Sequence, residues 1–241
     1  MTTLVLGASG ATGKLLVAQL LEQQQKVKAI VRSVEKVPAA WKALANLQLI
    51  EGSISSMQLA DVAIHLQGCD AVACCLGHNL SLKGIYGKPQ KLVRNAIRLV
   101  CDAVVLNAAA HPTKIVLMNT AGNRNRALAE PISLSERLLI SLLRLLLPPH
   151  PDNEKAADHL RVLVGQSNPE IAWVVVRPDT LIDQAAISPY DVHTSPTRSA
   201  LFNPGKTSRI NVAHFMARLL LEAELWVQWR GKMPVIYNRE A

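Results

Sequence analysis

The sequence predicts an α/β protein built on one doubly wound, mostly parallel sheet, and three observations carry that prediction. Short β-branched or aliphatic runs alternate with longer helical patterns almost from end to end, several of those runs are continuously apolar, and a glycine-rich turn joins the first run to the first helical pattern. Strands apolar on both faces are what a parallel sheet needs when helices cover it from both sides.

Thr2-Thr3-Leu4-Val5-Leu6 reads as the first strand, and residues 14–24 as the first helix, with Leu15, Leu16, Ala18, Leu20 and Leu21 on its apolar face. Further strands are expected at 27–31, 47–50, 70–75, 114–118 and 171–176, with helices at 56–66, about 88–109 and 153–167. Residues 134–147 form a leucine-rich helical pattern, apolar over more than half its circumference and stopped by Pro148-Pro149-His150-Pro151. It reads as a lid packed on the core, with an apolar pocket, a dimer contact or a membrane-surface contact as alternatives. A helix over 212–225 and a strand over 233–237 close the chain. Two irregular stretches, about 123–152 and 178–210, follow the carboxyl ends of strands, the rim where open α/β sheets bind ligands. They are expected to form a small substrate-side cap on a single domain spanning residues 1–241.

Composition narrows the function. The 241 residues are 49% hydrophobic and 18% charged, which supplies a core and excludes disorder, a collagen-like repeat or a disulfide-stapled miniprotein. The net charge of +8 has no basic run or zinc-finger spacing behind it, and aromatics are only 4%, so nucleic acid is not expected and a small anionic ligand is. Cys69, Cys74, Cys75 and Cys101 lack a paired C-x-x-C arrangement and read as buried, reduced thiols, Cys74 and Cys75 on opposite faces of one strand. No basic n-region precedes the first strand, and residues 132–147, with Glu136, Arg137 and Arg144, are too short and too charged to span a bilayer. The expectation is a cytoplasmic protein with no transmembrane segment, and with a homodimer or a protein partner left open. The seven histidines show no metal-ligand spacing, and there is no Gly-x-Ser-x-Gly elbow.

Gly7-Ala8-Ser9-Gly10-Ala11-Thr12-Gly13 places glycines three residues apart between a strand and a helix. A dinucleotide site needs that layout: the first glycine makes the tight turn, the second lets backbone N–H groups approach a pyrophosphate, and the third lets helix pack on strand. The fold expected is therefore Rossmann-type. A P-loop is excluded, since position 8 is Ala and Lys14 is followed by Leu15. The second strand ends in Arg32-Ser33, with Lys36 beyond, where an NAD site would carry an acid to take the ribose hydroxyls. Arg32 can fork onto a 2′-phosphate, with the Ser9 hydroxyl close by, so NADP (as NADPH) is the cofactor expected.

With these residues the chain resembles the atypical short-chain dehydrogenase/reductases, in their NmrA-like and flavin reductase or biliverdin reductase B-like branch. The resemblance spans nearly the whole chain through the glycine turn, Val31-Arg32, Glu51-Gly52-Ser53, Asp70-Ala71-Val72 to Leu76-Gly77, Asn119-Thr120-Ala121-Gly122, Arg177-Pro178 and Ser208-Arg209-Ile210-Asn211-Val212-Ala213. It implies that Gly7, Ser9, Gly10, Ala11 and Thr12 hold the pyrophosphate, Arg32 the 2′-phosphate, and Ser53 and Ile54 the adenine. It also implies that Leu76 and Gly77 pass under the ribose, with Thr120 and Pro178 near the nicotinamide. Relatives that act on alcohols or carbonyls add Ser or Thr at the end of the fifth strand and Tyr-x-x-x-Lys on the next helix, in which Lys lowers the phenol pKa. Thr120 and Lys155 fit that pattern, but four residues before Lys155 stands Pro151, and Tyr86, Tyr190 and Tyr237 are wrongly spaced. The resemblance then implies reduction of an electron-poor planar or apolar small molecule, with Thr120, His150 or His159 as proton donor. The alternatives are a non-catalytic NADP sensor of the NmrA-like type and, further off, a sugar-nucleotide epimerase-like enzyme.

Overall fold

A computed structural model describes residues 1–77, 89–130 and 132–239. His78, Tyr86 and the helix start expected near Lys88 lie outside these residues. Six parallel strands, β1 (Thr2–Leu6), β2 (Lys26–Val31), β3 (Leu47–Glu51), β4 (Ala71–Cys74), β5 (Thr113–Met118) and β6 (Ile171–Pro178), make the body of the sheet. Two short strands, β7 (Thr180–Ile182) and β9 (Lys206–Ser208), pair with each other, while β8 (Tyr190–His193) and β10 (Val235–Asn238) complete the main sheet in the order β3-β2-β1-β4-β5-β6-β10-β8. The strand order reverses between β1 and β4, the switch point at which such sheets open a crevice.

Helices α1 (Ala11–Glu22), α6 (Arg209–Leu221) and α7 (Ala223–Trp229) cover one face, and α2 (Leu59–Leu66), α3 (Leu92–Asn107) and α5 (Pro149–Asp158) the other. Alternation along β1 serves both layers: Val5 packs with Leu16, Leu20, Phe215 and Leu219, whereas Leu4 and Leu6 pack with Val62, Val100 and Leu160. Cys74 and Cys75 divide between the layers as expected for neighbours on a strand. Among the described residues, no helix is long and apolar enough to cross a membrane.

The rim departs from expectation in four places. The proline cluster does not end at a helix start at 153: α5 begins at Pro149, because first-turn N–H groups have no intrahelical partner and proline gives up nothing there. The helix expected through 167 becomes a π turn, His159–Val164, that ends at Gly165 with φ +73°. The segment 212–225 breaks at the extended backbone of Glu222 into α6 and α7. Residues 178–210, expected to be irregular, contribute β8 as an antiparallel edge strand of the main sheet. Val235 pairs with Arg177 and Ile236 with Pro178, so β10 meets only the end of β6 and carries β8 past the carboxyl edge.

The leucine-rich helix is α4 (Leu134–Leu146), started by a capping box in which Ser133 and Glu136 bond each other's backbone N–H. Its leucines do not make it a lid packed on the core. Ile140 is buried, but Leu134 and Leu138 are 77% and 74% exposed, and Leu142 and Leu146 are exposed as well.

Candidate functional site

The chain leaves β1 at Gly7 with φ +74°, a conformation that L side chains rarely adopt. A Cβ there would also stand 2.7 Å from the carbonyl oxygen of Cys75, so the turn lies against the end of β4. A Cβ on Gly13 would overlap the carbonyl oxygen of Gly7, which holds the first turn of α1 tightly onto the strand end. Gly10 donates its N–H to the Gly7 carbonyl at 2.9 Å and is the N-cap of α1, with no side chain bonded to the helix and no acid in its first turn. Gly10 and Ala11 are exposed, Ser9 is half-buried, and Thr12 and Gly13 are buried. A bare helix N-terminus with free N–H groups, framed by glycines, fits an anionic phosphate.

At the end of β2, Arg32 is exposed and has no ion-pair partner among the described residues. The Ser33 hydroxyl accepts the Glu35 N–H at 3.3 Å and caps the short 3₁₀ turn Val34–Lys36, while Glu51 accepts the Val34 N–H at 3.3 Å. Beyond β3, the Ser53 carbonyl accepts the Ser56 N–H at 2.9 Å, and Ile54 is buried beneath this turn. Leu76 is half-buried and Gly77 exposed at the end of β4.

Thr120 follows β5. Its N–H donates to Asn119 Oδ1 at 2.9 Å, and its Oγ1 accepts the Gly122 N–H at 3.3 Å. Asn119, part of the Asn119-Thr120-Ala121-Gly122 motif but given no role of its own by the sequence, donates through Nδ2 to the Asn153 carbonyl at 2.9 Å and so ties α5 to the loop carrying Thr120. Lys155 is exposed two residues beyond that tether, with Pro151 one helical turn before it. Pro178 is buried at the end of β6. His150, expected in a loop, lies in the first turn of α5 with Nδ1 3.8 Å from Glu154 Oε1. His159 titrates below the usual imidazole range because it is buried, and the charges that influence it, Asp102, Arg98 and Arg94, all belong to α3. The structure thus brings Thr120 together with the helix bearing Lys155 and His150, and sets His159 against α3.

Asp152 also escaped the sequence. It is 3% exposed and accepts the N–H groups of Val93 at 2.8 Å and Arg94 at 3.1 Å, capping α3, whose own N-cap residue, Lys91, makes no side-chain cap. Burial pushes the thiols of Cys74 and Cys101 up to about 12 and that of Cys75 up as well, so they are packing groups rather than nucleophiles. Among the described residues, no three His, Cys, Asp or Glu side chains cluster as a metal site would require.

No curated protein sequence matches the chain. Solved structures do resemble it. A short-chain dehydrogenase/reductase from Veillonella parvula in complex with NADP is 15% identical, with 98% of this chain and 94% of that one aligned at a TM-score of 0.71. ChuY, an anaerobilin reductase from Escherichia coli O157:H7, is 15% identical over 100% and 98% of the two chains at 0.69. SP1627 from Streptococcus pneumoniae, provisionally assigned as an NADH-flavin reductase, is 18% identical over 99% and 100% at 0.68. At these identities the likeness is one of fold. The sequence itself matches the NAD(P)H-binding family over residues 7–223, from the glycine turn to the start of α7, and the chain belongs to that family.

Proposed function

We propose that the protein is a reductase that takes NADPH in preference to NADH and acts on a small planar or apolar acceptor at the carboxyl edge of the sheet. The observation that carries the cofactor choice is Arg32: exposed, unpaired among the described residues, and one strand away from the bare N-terminus of α1. In this reading the N–H groups of Ala11, Thr12 and Gly13 receive the pyrophosphate, which approaches over the side-chain-free Gly10 with the Ser9 hydroxyl beside it. Arg32, with Ser33 and Lys36 near it, takes the 2′-phosphate. Ser53 and Ile54 flank the adenine, Leu76 and Gly77 lie under the ribose, Thr120 and Pro178 border the nicotinamide, and Lys155 reaches toward the ribose. NADPH, when bound, supplies the hydride. Thr120 relays a proton from solvent to the acceptor, because its oxygen accepts the Gly122 N–H and its own O–H is left to donate. His150 is the second proton source in reach of the same helix, although Glu154 stands beside its ring.

The test is to titrate the purified protein with NADP(H) and NAD(H), then follow NADPH absorbance with flavins, quinones and aldehydes. Binding of NADPH with oxidation by a flavin or quinone is the expected result, and failure to bind either dinucleotide overturns it. Pro151 favours one second reading, a sensor that holds NADP without turnover, since a proline at the tyrosine position has no proton to give. Tight NADPH binding with no oxidation across those acceptors would select it. The same proline disfavours an epimerase-like enzyme.

A further inference from the structure

One face of helix α4 borders a cavity. Arg137, Ile140 and Arg144, spaced i, i+3, i+7, border a small cavity of about 40 Å³ that Gly122, Arg124, Ile132 and Glu154 complete. Three guanidinium groups therefore share a cavity with one carboxylate. Arg144 claims that carboxylate, with Nε at 2.9 Å and Nη2 at 2.7 Å, and the other two guanidinium groups, Arg124 and Arg137, are not paired with it. Neither has an ion-pair partner among the described residues. The nearest other acid in influence, Glu136, gives its oxygens to Ser133 and Ser199. The Nε of Arg124 is buried and has no acceptor among the described residues. Buried donors are almost always satisfied in native proteins, so an orphan guanidinium N–H on a residue that lines a cavity points to an acceptor nearby.

We propose that this cavity holds an anionic group, a carboxylate or a phosphate, carried by the acceptor. Guanidinium groups suit that task because they stay charged and fork onto two oxygens at once. The cavity adjoins the reacting edge: Gly122, in its wall, donates its N–H to Thr120, and Glu154, opposite, precedes Lys155. An acceptor anchored by its anionic end between Arg124 and Arg137 lies with its body toward Thr120. This deepens the reductase reading and rests on it for its consequence: the preferred acceptors are acidic molecules, and uncharged analogues of the same ring are poorer.

The probe is inorganic phosphate, added at constant ionic strength to protein labelled with ¹⁵N-arginine, with the Nε–H resonance of Arg124 as reporter. That resonance is assigned by its loss in Arg124→Lys. Acetate in a parallel titration separates carboxylate from phosphate preference. A saturable shift with either anion is expected, and Arg137→Gln, a change at an exposed position of α4, should weaken it about tenfold, the order of one lost charge-assisted contact. A shift that never saturates, or one unchanged by Arg137→Gln, overturns the proposal. Arg32→Ala should leave the response intact, since the 2′-phosphate site lies at the end of another strand. NADPH titration of the same sample separates the two claims: anion binding without NADPH binding sinks the reductase reading alone, and the reverse sinks only this one.

Discussion

The guanidinium of Arg177 and the carboxylate of Glu130 form a bidentate pair, Nη2 to Oε1 at 2.7 Å and Nη1 to Oε2 at 3.0 Å, with side chains 0% and 1% exposed. The remaining donors of Arg177 reach the carbonyl oxygens of Met233 at 2.7 Å, Asn123 at 2.9 Å and Thr194 at 3.2 Å. Glu130 also accepts the Asn125 N–H at 2.7 Å. One arginine at the end of β6 thereby joins the loop after β5, the segment after β8 and the approach to β10.

Removing the arginine strands a buried carboxylate and three carbonyl groups. Arg177→Met is expected to cost about 3–5 kcal/mol in urea unfolding, as for other broken buried pairs. Glu130→Gln keeps one acceptor and should cost less. The double variant Arg177→Met/Glu130→Leu should recover part of the loss but not all, because the carbonyls stay unpaired. A loss under about 1 kcal/mol for Arg177→Met would show that the pair does not hold the rim together.

The glycines of the first turn separate packing from binding. Gly13→Ala drives a methyl into the Gly7 carbonyl, so stability should fall by about 1–3 kcal/mol and dinucleotide affinity with it. At Gly10, with φ −75°, a Cβ would meet the same oxygen at 3.1 Å and can be accommodated by a small shift. Gly10→Ala should change stability by no more than roughly 1 kcal/mol while weakening NADPH about tenfold by crowding the pyrophosphate. Parallel urea and fluorescence titrations of the two variants check the separation.

Features that one stretch of chain decides for itself were legible in the sequence. The glycine turn is such a feature, because its geometry depends on residues 7–13 and the strand before them, and so are the central parallel strands such as β1, β4 and β6, whose apolar runs report burial on both faces. The rim was not legible, because its determinants come from distant chain. Asp152 caps a helix that starts sixty residues earlier, and Arg177 meets an acid 47 residues away. The start of α5 was hidden by prolines that read as a stop and serve as a first turn. Likewise Tyr190-Asp191-Val192-His193 becomes a strand only because β10 offers it an edge.

Asp152 provides a direct test of capping from another element. Asp152→Ala should cost about 1–2 kcal/mol and speed amide exchange at Val93 and Arg94, the two N–H groups left without acceptors. Asp152→Asn retains one acceptor oxygen and should restore part of both. Unchanged exchange in Asp152→Ala would remove the cap from the account of α3.

Burial holds His159 and His214 below the ordinary histidine value of 6.5, and His214 Nδ1 lies 2.9 Å from the Tyr190 hydroxyl. Arg94, Arg98 and Asp102 face the first ring, Arg218 and Glu222 the second. With folded values lowered, the unfolded chain binds more protons between those values and 6.5. The stability contribution is complete above about pH 6.5 and is lost as the pH falls through the lowered values. Urea midpoints of the wild type should therefore decline from about pH 7.5 to about pH 5.5, and His159→Gln/His214→Gln should flatten the decline. An equally steep decline in the double variant would assign the pH dependence to other groups.

The proposed preference for NADPH rests on Arg32. If its guanidinium grips the 2′-phosphate, Arg32→Ala removes a charge-assisted contact that NADH never makes, so NADPH affinity should fall by about 1.5–3 kcal/mol, roughly 10- to 150-fold, with NADH nearly unchanged. Because Arg32 is exposed, the urea midpoint should not move, which separates lost binding from lost folding. Arg32→Lys should retain part of the preference, since a lysine supplies the charge without the fork. Equal losses for the two cofactors would place the discrimination elsewhere, with Lys36 and the Ser33 hydroxyl next in line at the same strand end.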